Sequence, residues 1–215
     1  MQQIEVKTVA ETLVDTLQDM VANSDLVPGE RVNEVALSRA LNVSRTPLRE
    51  ALNRLVAAGL IEARPRQGFW VPPLSADEFT AVYRVRPILD CAALEMAGLP
   101  SDETRKELRR LNHKFEQQTQ LGRRIDADDA FHLAMVAGCN NPVLLGLIED
   151  MMRRTRRYEL AYFSSQTALS LVSGEHEAIL AAFDAGDLPG AVEALRKNLT
   201  SGFQPLHDWL VGLSS

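Results

Sequence analysis

Cysteine is scarce in this chain of 215 residues, which contains only Cys91 and Cys139. Two cysteines cannot build the disulfide framework of a small secreted domain, and their separation excludes a Cys-x-x-Cys zinc motif. Isolated cysteines of this kind usually pack as small apolar side chains. We therefore expect both thiols to be buried packing residues rather than reactive groups.

The chain also lacks any apolar run near the roughly 18 to 20 residues that a membrane span requires. Residues 1–10 do not contain a basic segment followed by an apolar stretch, which is the pattern of a secretory signal. We therefore expect a cytoplasmic protein that has no membrane partner.

The chain has fewer basic than acidic residues: 23 Lys and Arg against 29 Asp and Glu, for a formal net charge of -6. Non-specific affinity for nucleic acid comes mainly from cationic side chains that neutralise phosphates. The protein therefore cannot bind nucleic acid over its whole surface, and any such binding must be confined to a local basic patch. The composition, 46% hydrophobic and 24% charged, instead indicates a folded, helix-rich protein.

A proline pair divides the chain into two domains. Pro72 and Pro73 disfavour both helix and central strand, and Ser75 follows them as a cap for a new helix. We place the boundary near residue 73. The first domain then covers residues 1–73, and the second covers residues 76–213.

The first domain has the element order of a winged helix-turn-helix. Apolar residues at helical spacing from Val9 to Val21 predict a first helix. Asn33 is placed to cap a second helix over 34–41, and Ser44 to cap a third over 45–58. Residues 60–63 and 69–71 then predict two short strands, so that a β-hairpin wing follows the third helix.

The second domain has helical periodicity throughout and predicts an all-α bundle. Its helices are expected over residues 76–98, 101–121, 124–138, 141–163, 173–185 and 187–213. Pro87 is expected to bend the first of these helices locally, and Gly202 with Pro205 to mark a stop or kink in the last. The fold class is therefore mainly α, with three helices and a hairpin wing at the N-terminus and a helical bundle at the C-terminus.

The start of the third helix carries the chemistry of a DNA reader. Ser44, Arg45, Thr46 and Arg49 place two hydroxyls and two guanidinium groups in its first turns. Such a helix points its N-terminus into the major groove, where Arg can bond guanine edges. An ordinary solvated helix, in which these arginines pair with Glu50 and its neighbours, is the alternative interpretation of this segment alone.

The wing adds cations beside that helix. Arg64 and Arg66 precede Gly68, so that side chains and backbone can approach phosphates or the minor groove. Residues 28–72 carry seven arginines against four glutamates, a balance of +3 inside an acidic chain. The complete order of elements, together with this focused charge, favours binding to double-stranded operator DNA.

These motifs resemble the GntR family. The resemblance covers Leu26-x-Pro-Gly-Glu-Arg-Val32, then Leu41-x-Val-Ser-Arg-Thr-Pro-Leu-Arg-Glu-Ala-Leu-x-Arg-Leu55, then Gly59-Leu-Ile61. It implies that Arg45, Thr46 and Arg49 contact DNA, that Ser44 caps the helix or touches phosphate, and that the wing near Gly68 reaches the minor groove. Some members have a further basic residue in the second helix, where this chain has Val35.

A carboxylate and an imidazole four residues apart mark the second domain. Asp128 and His132 share one face of the predicted helix at a spacing suited to chelation. An internal hydrogen-bonded pair, with His176 as a buried core residue, is the alternative interpretation.

This segment, together with Glu175-His176 and Asn141-Pro142, resembles the FCD ligand-binding domain of the FadR subgroup over residues 76–212. The resemblance implies that Asp128, His132 and His176 hold a divalent metal such as zinc, nickel or manganese. The fourth position, usually His, is Asn198, whose carbonyl is a weaker ligand for zinc or nickel but acceptable to harder cations. The site either binds metal weakly, binds it through water, or has abandoned metal for direct hydrogen bonding to the effector.

A helical sensor needs a polar anchor for its effector, and a buried Arg suits a carboxylate because its fork bonds both oxygens. Arg86 occupies a position that resembles the family's pocket-facing arginine. The alternative is an exposed Arg86 that pairs with Asp90. The run Arg153-Arg154-Thr155-Arg156-Arg157-Tyr158 is expected to be mostly a solvated face that also pairs with Glu149 and Asp150 or packs on the other domain. The alternative is that one of its guanidinium groups points inward.

These features predict a ligand-responsive transcription repressor that binds a palindromic operator as a homodimer and senses a small carboxylate. No catalytic residue is assigned. Two alternatives remain at this point. A metal-dependent hydrolytic enzyme would use Asp128, His132 and His176 to activate water, and a constitutive DNA-binding protein would have no effector.

Overall fold

The structure, a computed structural model, describes residues 9–22, 25–165 and 174–213. The chain separates into two compact units, Met1–Leu74 and Ser75–Ser215, which are described in turn. Residues 1–8 of the expected first domain and position 173, the expected start of one helix, lie outside the described residues.

The first unit contains three helices and one hairpin. They are α1 (Val9–Ala22), α2 (Glu34–Ala40), α3 (Arg45–Ala57), β1 (Glu62–Arg64) and β2 (Gly68–Trp70). The Asn33 side chain caps α2 by accepting a hydrogen bond from the Ala36 amide at 3.1 Å. Gly59, at φ 72°, takes the left-handed conformation that ends α3. The α1 and α3 faces that meet in the core are apolar, and their buried members include Leu13, Leu17, Leu48, Leu52 and Leu55.

The hairpin pairs β1 and β2 antiparallel, with Glu62 opposite Trp70 and Arg64 opposite Gly68. Its turn contains Arg66 at φ 62°, and Gly68 follows at φ 86°. The chain before α2 forms a backbone bridge to β2 through Arg31 and Trp70, so β2 lies between this segment and β1. The predicted winged helix-turn-helix, with three helices and a β-hairpin, is confirmed.

The described residues of the second unit form eight helices. They are α4 (Ala76–Tyr83), α5 (Arg86–Ala97), α6 (Asp102–Gln117), α7 (Leu121–Val136), α8 (Pro142–Ser165), α9 (Glu175–Asp184), α10 (Leu188–Ser201) and α11 (Phe203–Leu213). Side chains of Ser75, Ser101 and Asp187 accept backbone N–H groups at three of the helix starts. The core lies between α5, α6, α7, α8, α9 and α10, and it includes Cys91 and Cys139, both buried.

Two predicted helices are each divided in the structure, and the reason is the same in both. The helix expected over 76–98 ends at Tyr83, four residues before Pro87, and the helix expected over 187–213 ends at Ser201, four residues before Pro205. Proline has no N–H for the carbonyl four residues earlier, and its ring collides with that carbonyl. A break therefore replaces the bend expected at Pro87, and the stop or kink expected at Gly202 and Pro205 is a division between α10 and α11.

The fold class is confirmed as mainly α, with a helical C-terminal bundle. In the ranges that the structure describes, none of the helices has the length and apolar character needed to cross a membrane.

Candidate functional site

The N-terminal turns of α3 expose the side chains that were expected to read DNA. Ser44, Arg45, Thr46 and Arg49 are all exposed, while Leu48 on the opposite face is fully buried. Ser44 occupies the N-cap position, but its hydroxyl makes no cap hydrogen bond. The predicted cap bond is absent, so the hydroxyl is available to an incoming phosphate oxygen.

The two α3 arginines differ in how they are held. Arg49 Nη1 donates to both carboxylate oxygens of Glu34, at 3.0 and 3.3 Å, and its guanidinium carbon lies 5.5 Å from the Phe69 ring centroid. Arg45 lines the same concave surface as Arg31 and Glu34. Among the residues that the structure describes, Arg45 has no hydrogen-bond partner, so its guanidinium donors are unused.

The wing arginines differ in the same way. Arg64 donates to Glu62 at 3.1 and 3.2 Å and stacks 4.4 Å from the Trp70 ring. Arg66 is exposed at the turn of the hairpin. The structure thus places Arg66 and Gly68 at or beside the wing turn, and Arg64 already packs against its own strand pair.

The three residues expected to hold metal come together between α7 and α9. Asp128 Oδ2 lies 3.8 Å from His132 Nε2, and Asp128 Oδ1 lies 3.2 Å from His176 Nε2. One ligand atom from each of the three lies within 4.8 Å of the others. Both imidazoles are buried. Burial lowers the pKa of His132 to about 3, so this ring is neutral and able to bind a metal.

A second pair of residues orients His176. Asn112 Nδ2 donates to Glu177 Oε1 at 2.7 Å, and this bond assigns the Asn112 carbonyl as the group that faces His176 Nδ1 at 3.0 Å. In the neutral ring, Nδ1 is then the protonated nitrogen, and Nε2 presents a lone pair to Asp128. A lone pair and a carboxylate repel each other at this distance, and a cation between them removes that repulsion. The arrangement fits a divalent metal.

Asn198, the fourth expected ligand, lies on α10 and lines the same cavity as Asp128 and His132. Its Nδ2 donates to Glu175 Oε2 at 3.0 Å, so its own carbonyl oxygen remains as the ligand atom. Sequence patterns did not indicate Asn112 or Glu177, because their roles depend on contacts between α6 and α9.

The cavity beside the cluster has a volume of about 120 Å³. Its wall combines apolar side chains with Arg86, Arg124, Asp128 and Glu159. Burial, opposed by Arg86 and reinforced by neighbouring carboxylates, raises the pKa of Glu159 to about 7. A small ligand that carries negative charge therefore meets both cations and a protonatable carboxyl group.

Arg86 is buried, with an exposed fraction of 6%, and Asp90 is fully buried beside it at 3.7 Å. The alternative of an exposed Arg86 is thus wrong, although the pairing with Asp90 is present. Nε and Nη2 of Arg86 have no hydrogen-bond partner in the described part of the chain. A buried guanidinium with unused donors at a cavity wall is suited to bind a carboxylate.

The arginine run on α8 is only half solvated. Arg153 and Arg154 are exposed and pair with Asp150. Arg156 is buried, and it bonds Asp126, Asp129 and the Gly122 carbonyl. Arg157 is also buried, with bonds to Glu78 and Tyr158. The expectation of a mostly solvated face was wrong for these two residues, which join α8 to α7 and α4.

Two family models match the chain. Residues 9–71 match the bacterial regulatory proteins of the gntR family, and residues 81–201 match the FCD domain. The second match alone covers more than half of the chain.

Individual proteins agree with these matches. The Nta operon transcriptional regulator of Aminobacter aminovorans is 33% identical over 132 residues, which are 60% of this chain and 63% of that protein. The chain thus aligns with slightly less than two-thirds of that relative. The transcriptional regulator LutR of Bacillus subtilis is 30% identical over 211 residues, which are 85% of this chain and 94% of LutR. The solved structure of E. coli McbR/YncC superposes with a TM-score of 0.67 at 25% identity, and covers 98% of this chain and 100% of that one.

Proposed function

Since this chain belongs to the GntR family, carries an FCD domain and is therefore a DNA-binding transcriptional regulator, we propose that it is a metabolite-responsive repressor. It binds a palindromic operator as a homodimer, and a small carboxylate in the second unit releases it. The family and the matched relatives are transcriptional regulators rather than enzymes, so the hydrolase alternative is set aside.

The proposed operator contacts divide between bases and phosphates. Arg45 and Arg49 read guanine edges in the major groove, since they are the exposed cations on the first turns of α3. Ser44 and Thr46 hold phosphates with their hydroxyls. The wing, with Arg66 and Gly68, follows the adjacent minor groove or its phosphates, and Arg64 supports it from the strand pair.

The proposed homodimer matches the two-fold symmetry of a palindromic operator. One recognition helix covers only a half-site, and a palindrome is occupied when two helices are spaced by about one turn of DNA. An effector that prefers a different arrangement of the two copies lowers the affinity for the operator, because it can bias only an equilibrium in which it binds one state better.

The single observation that carries the sensing role is Arg86, a buried guanidinium with unpaired donors at the wall of a cavity that also holds the Asp128 cluster. Asp128, His132 and His176 would hold a divalent metal, with the Asn198 carbonyl as a further ligand or as an effector contact. When bound, the metal supplies a positive charge that polarises and orients a carboxylate. Arg86 donates hydrogen bonds to the carboxylate and holds it next to the cluster of Asp128, His132 and His176.

The test starts from duplex DNA selected by the wild-type protein from a random pool. Affinity for this operator is measured by fluorescence anisotropy with and without a panel of small mono-, di- and hydroxycarboxylates. We expect at least one carboxylate to weaken operator binding about tenfold or more, in the range of typical allosteric coupling. A protein that binds the operator equally with every member of the panel would contradict the sensing role and support constitutive binding.

Arg86→Lys separates the effector from the operator. Lys keeps the charge but loses the planar fork, so we expect unchanged operator binding without ligand and a weaker response to the carboxylate. Arg154→Lys, on the exposed face of α8, is the matched control and should respond as wild type.

A further inference from the structure

One carboxylate lies directly against the proposed DNA-reading surface. Glu34, in the first turn of α2, accepts two hydrogen bonds from Arg49 Nη1. An acidic group at this place is unexpected, because it repels the phosphates that a DNA-binding surface has to approach. Its presence calls for a role that offsets this repulsion.

Stability does not supply that role. The Arg49 side chain is 57% exposed and the Glu34 side chain 19% exposed, so water screens the pair. Ion pairs with an exposed partner contribute little to the free energy of unfolding. The contact instead restricts the direction of a long, flexible side chain.

The restriction leaves a useful part of the guanidinium free. Glu34 bonds to Nη1, and the Phe69 ring lies 5.5 Å from the guanidinium carbon. Within the described residues, Arg49 Nε and Nη2 have no hydrogen-bond partner. These two nitrogens form one edge of the planar guanidinium group, and two parallel N–H donors are what the O6 and N7 atoms of guanine accept.

The hairpin passes close to Glu34. A Cβ at Gly68 would lie 3.6 Å from Glu34 Oε1 and equally far from Nε and Nη2 of Arg31. Asn33 caps the helix that carries Glu34. Glu34 thus lies at the start of a capped helix and beside the hairpin, whereas Arg45 has no hydrogen-bond partner among the described residues.

We propose that Glu34 is a positioning residue that aims Arg49 and thereby sets base specificity at the position that Arg49 reads. This inference rests on the proposed reading role of Arg49. Glu34 raises the discrimination between operator and other DNA, and its charge at the same time lowers affinity for DNA of any sequence. The two effects have opposite signs, which distinguishes positioning from a purely structural role.

The experiment compares Glu34→Gln with wild type on three kinds of duplex. They are the operator selected by the wild type, single base-pair variants of that operator, and an unselected random duplex. Arg49→Ala first identifies the base pair that Arg49 reads, because preference disappears at that position. For Glu34→Gln we expect discrimination at that base pair to fall about fivefold or more, within the range of one bidentate contact. Affinity for the random duplex should be equal or higher.

Two further variants make the result decisive. Glu50→Gln removes a carboxylate from the residue next to Arg49 and should leave base preference unchanged, so it controls for charge alone. In the Arg49→Ala background, Glu34→Gln should cause no further change of preference. The proposal is overturned if Glu34→Gln leaves preference intact, or if its effect persists without Arg49. If Arg49→Ala itself leaves operator binding and preference unchanged, the reading role of Arg49 has failed, and the role of Glu34 falls with it.

Discussion

Nδ1 of His176 lies 3.0 Å from Oδ1 of Asn112, and this contact determines which ring nitrogen faces Asp128. Glu177 accepts the Asn112 amide N–H, so the Asn112 carbonyl must accept from His176. In the neutral ring, Nε2 is then unprotonated and directed at the Asp128 carboxylate. A residue outside the metal cluster thus prepares one of its ligands.

The first prediction tests this preparation. Asn112→Leu removes the acceptor for Nδ1 and frees His176 to turn or to change tautomer. We expect the affinity for zinc to fall about 10- to 100-fold, the usual cost of losing such a partner. Competition with a chromophoric chelator measures this affinity, and circular dichroism checks that the variant is folded. His113→Ala changes the exposed neighbour on α6 and should bind zinc as wild type. A folded Asn112→Leu variant with unchanged zinc affinity would show that Asn112 does not orient His176 for metal binding.

The second prediction concerns the ligand that departs from the family pattern. Asn198→His places an imidazole where the structure has a carbonyl oxygen at the cavity wall. Imidazole is a better ligand than a neutral oxygen for zinc and nickel, while manganese favours oxygen. We expect zinc affinity to rise more than manganese affinity, so that the ratio of the two dissociation constants shifts toward zinc. Equal changes for both metals would mean that residue 198 does not reach the ion.

Local signals in the sequence predicted much of the fold. Asn33 and Gly59 mark helix ends by their own hydrogen bonding and backbone conformation, and both act as expected. Pro87 was recognised as a point of bending, but the break at Tyr83 depends on how far the chain departs from helical geometry around it. A proline predicts that a helix is interrupted nearby, and the packing on both sides determines whether the helix bends or breaks.

The site was predictable where one helix carries it and not where distant segments meet. Asp128 and His132 share α7, so their spacing was visible in the sequence. Arg156 and Arg153 look alike in the arginine run, yet only Arg156 finds acidic partners on α7. Burial of an arginine depends on what faces it, and that information lies elsewhere in the chain.

The third prediction separates base contacts from phosphate contacts. Arg45→Ala should weaken binding to the selected operator by about 1–3 kcal/mol and relax base preference at one position, as expected for a bidentate contact. Arg66→Ala should weaken operator and random duplex alike and reduce the slope of log affinity against log salt by about 1. Anisotropy titrations at several salt concentrations measure both. Identical behaviour of the two variants would contradict the division of roles.

The fourth prediction concerns the buried pair of Arg86 and Asp90. Arg86→Met leaves the fully buried Asp90 carboxyl group without its cation, so we expect a loss of about 3 kcal/mol or more in the free energy of unfolding. Asp90→Leu should also destabilise, because the Arg86 guanidinium then lacks its nearest anion. The double variant should lose clearly less than the sum of the two, because no unpaired charge remains.

Urea denaturation at pH 7 measures the free energy of unfolding for all four proteins. Additive losses would show that Arg86 and Asp90 do not interact, despite the 3.7 Å between their charged atoms. Arg153→Met, which removes an exposed arginine on α8, serves as the control for charge removal and should change stability little.

The last prediction uses the carboxyl group of Glu159 in the cavity wall. Burial raises its pKa to about 7, with Asp129 and Asp128 acting in the same direction and Arg86 and Arg156 against it. The folded state therefore binds a proton more tightly than the unfolded chain, whose Glu has a pKa near 4.3. Stability from this group is fully present below the unfolded pKa and is lost as the pH rises through about 7.

Glu159→Gln removes this titration without a change of size. In metal-free protein, we expect the melting temperature of the variant to rise relative to wild type as the pH increases from 4.5 to 7.5. The reason is that residue 159 loses a proton in this range only in the wild type. Glu149→Gln, on the exposed face of the same helix, should give a constant difference across this range. A constant difference for Glu159→Gln as well would mean that the Glu159 carboxyl group titrates near its ordinary pKa. The effector would then meet a permanently charged carboxylate beside Arg86, and a net anionic ligand would have to bind against it.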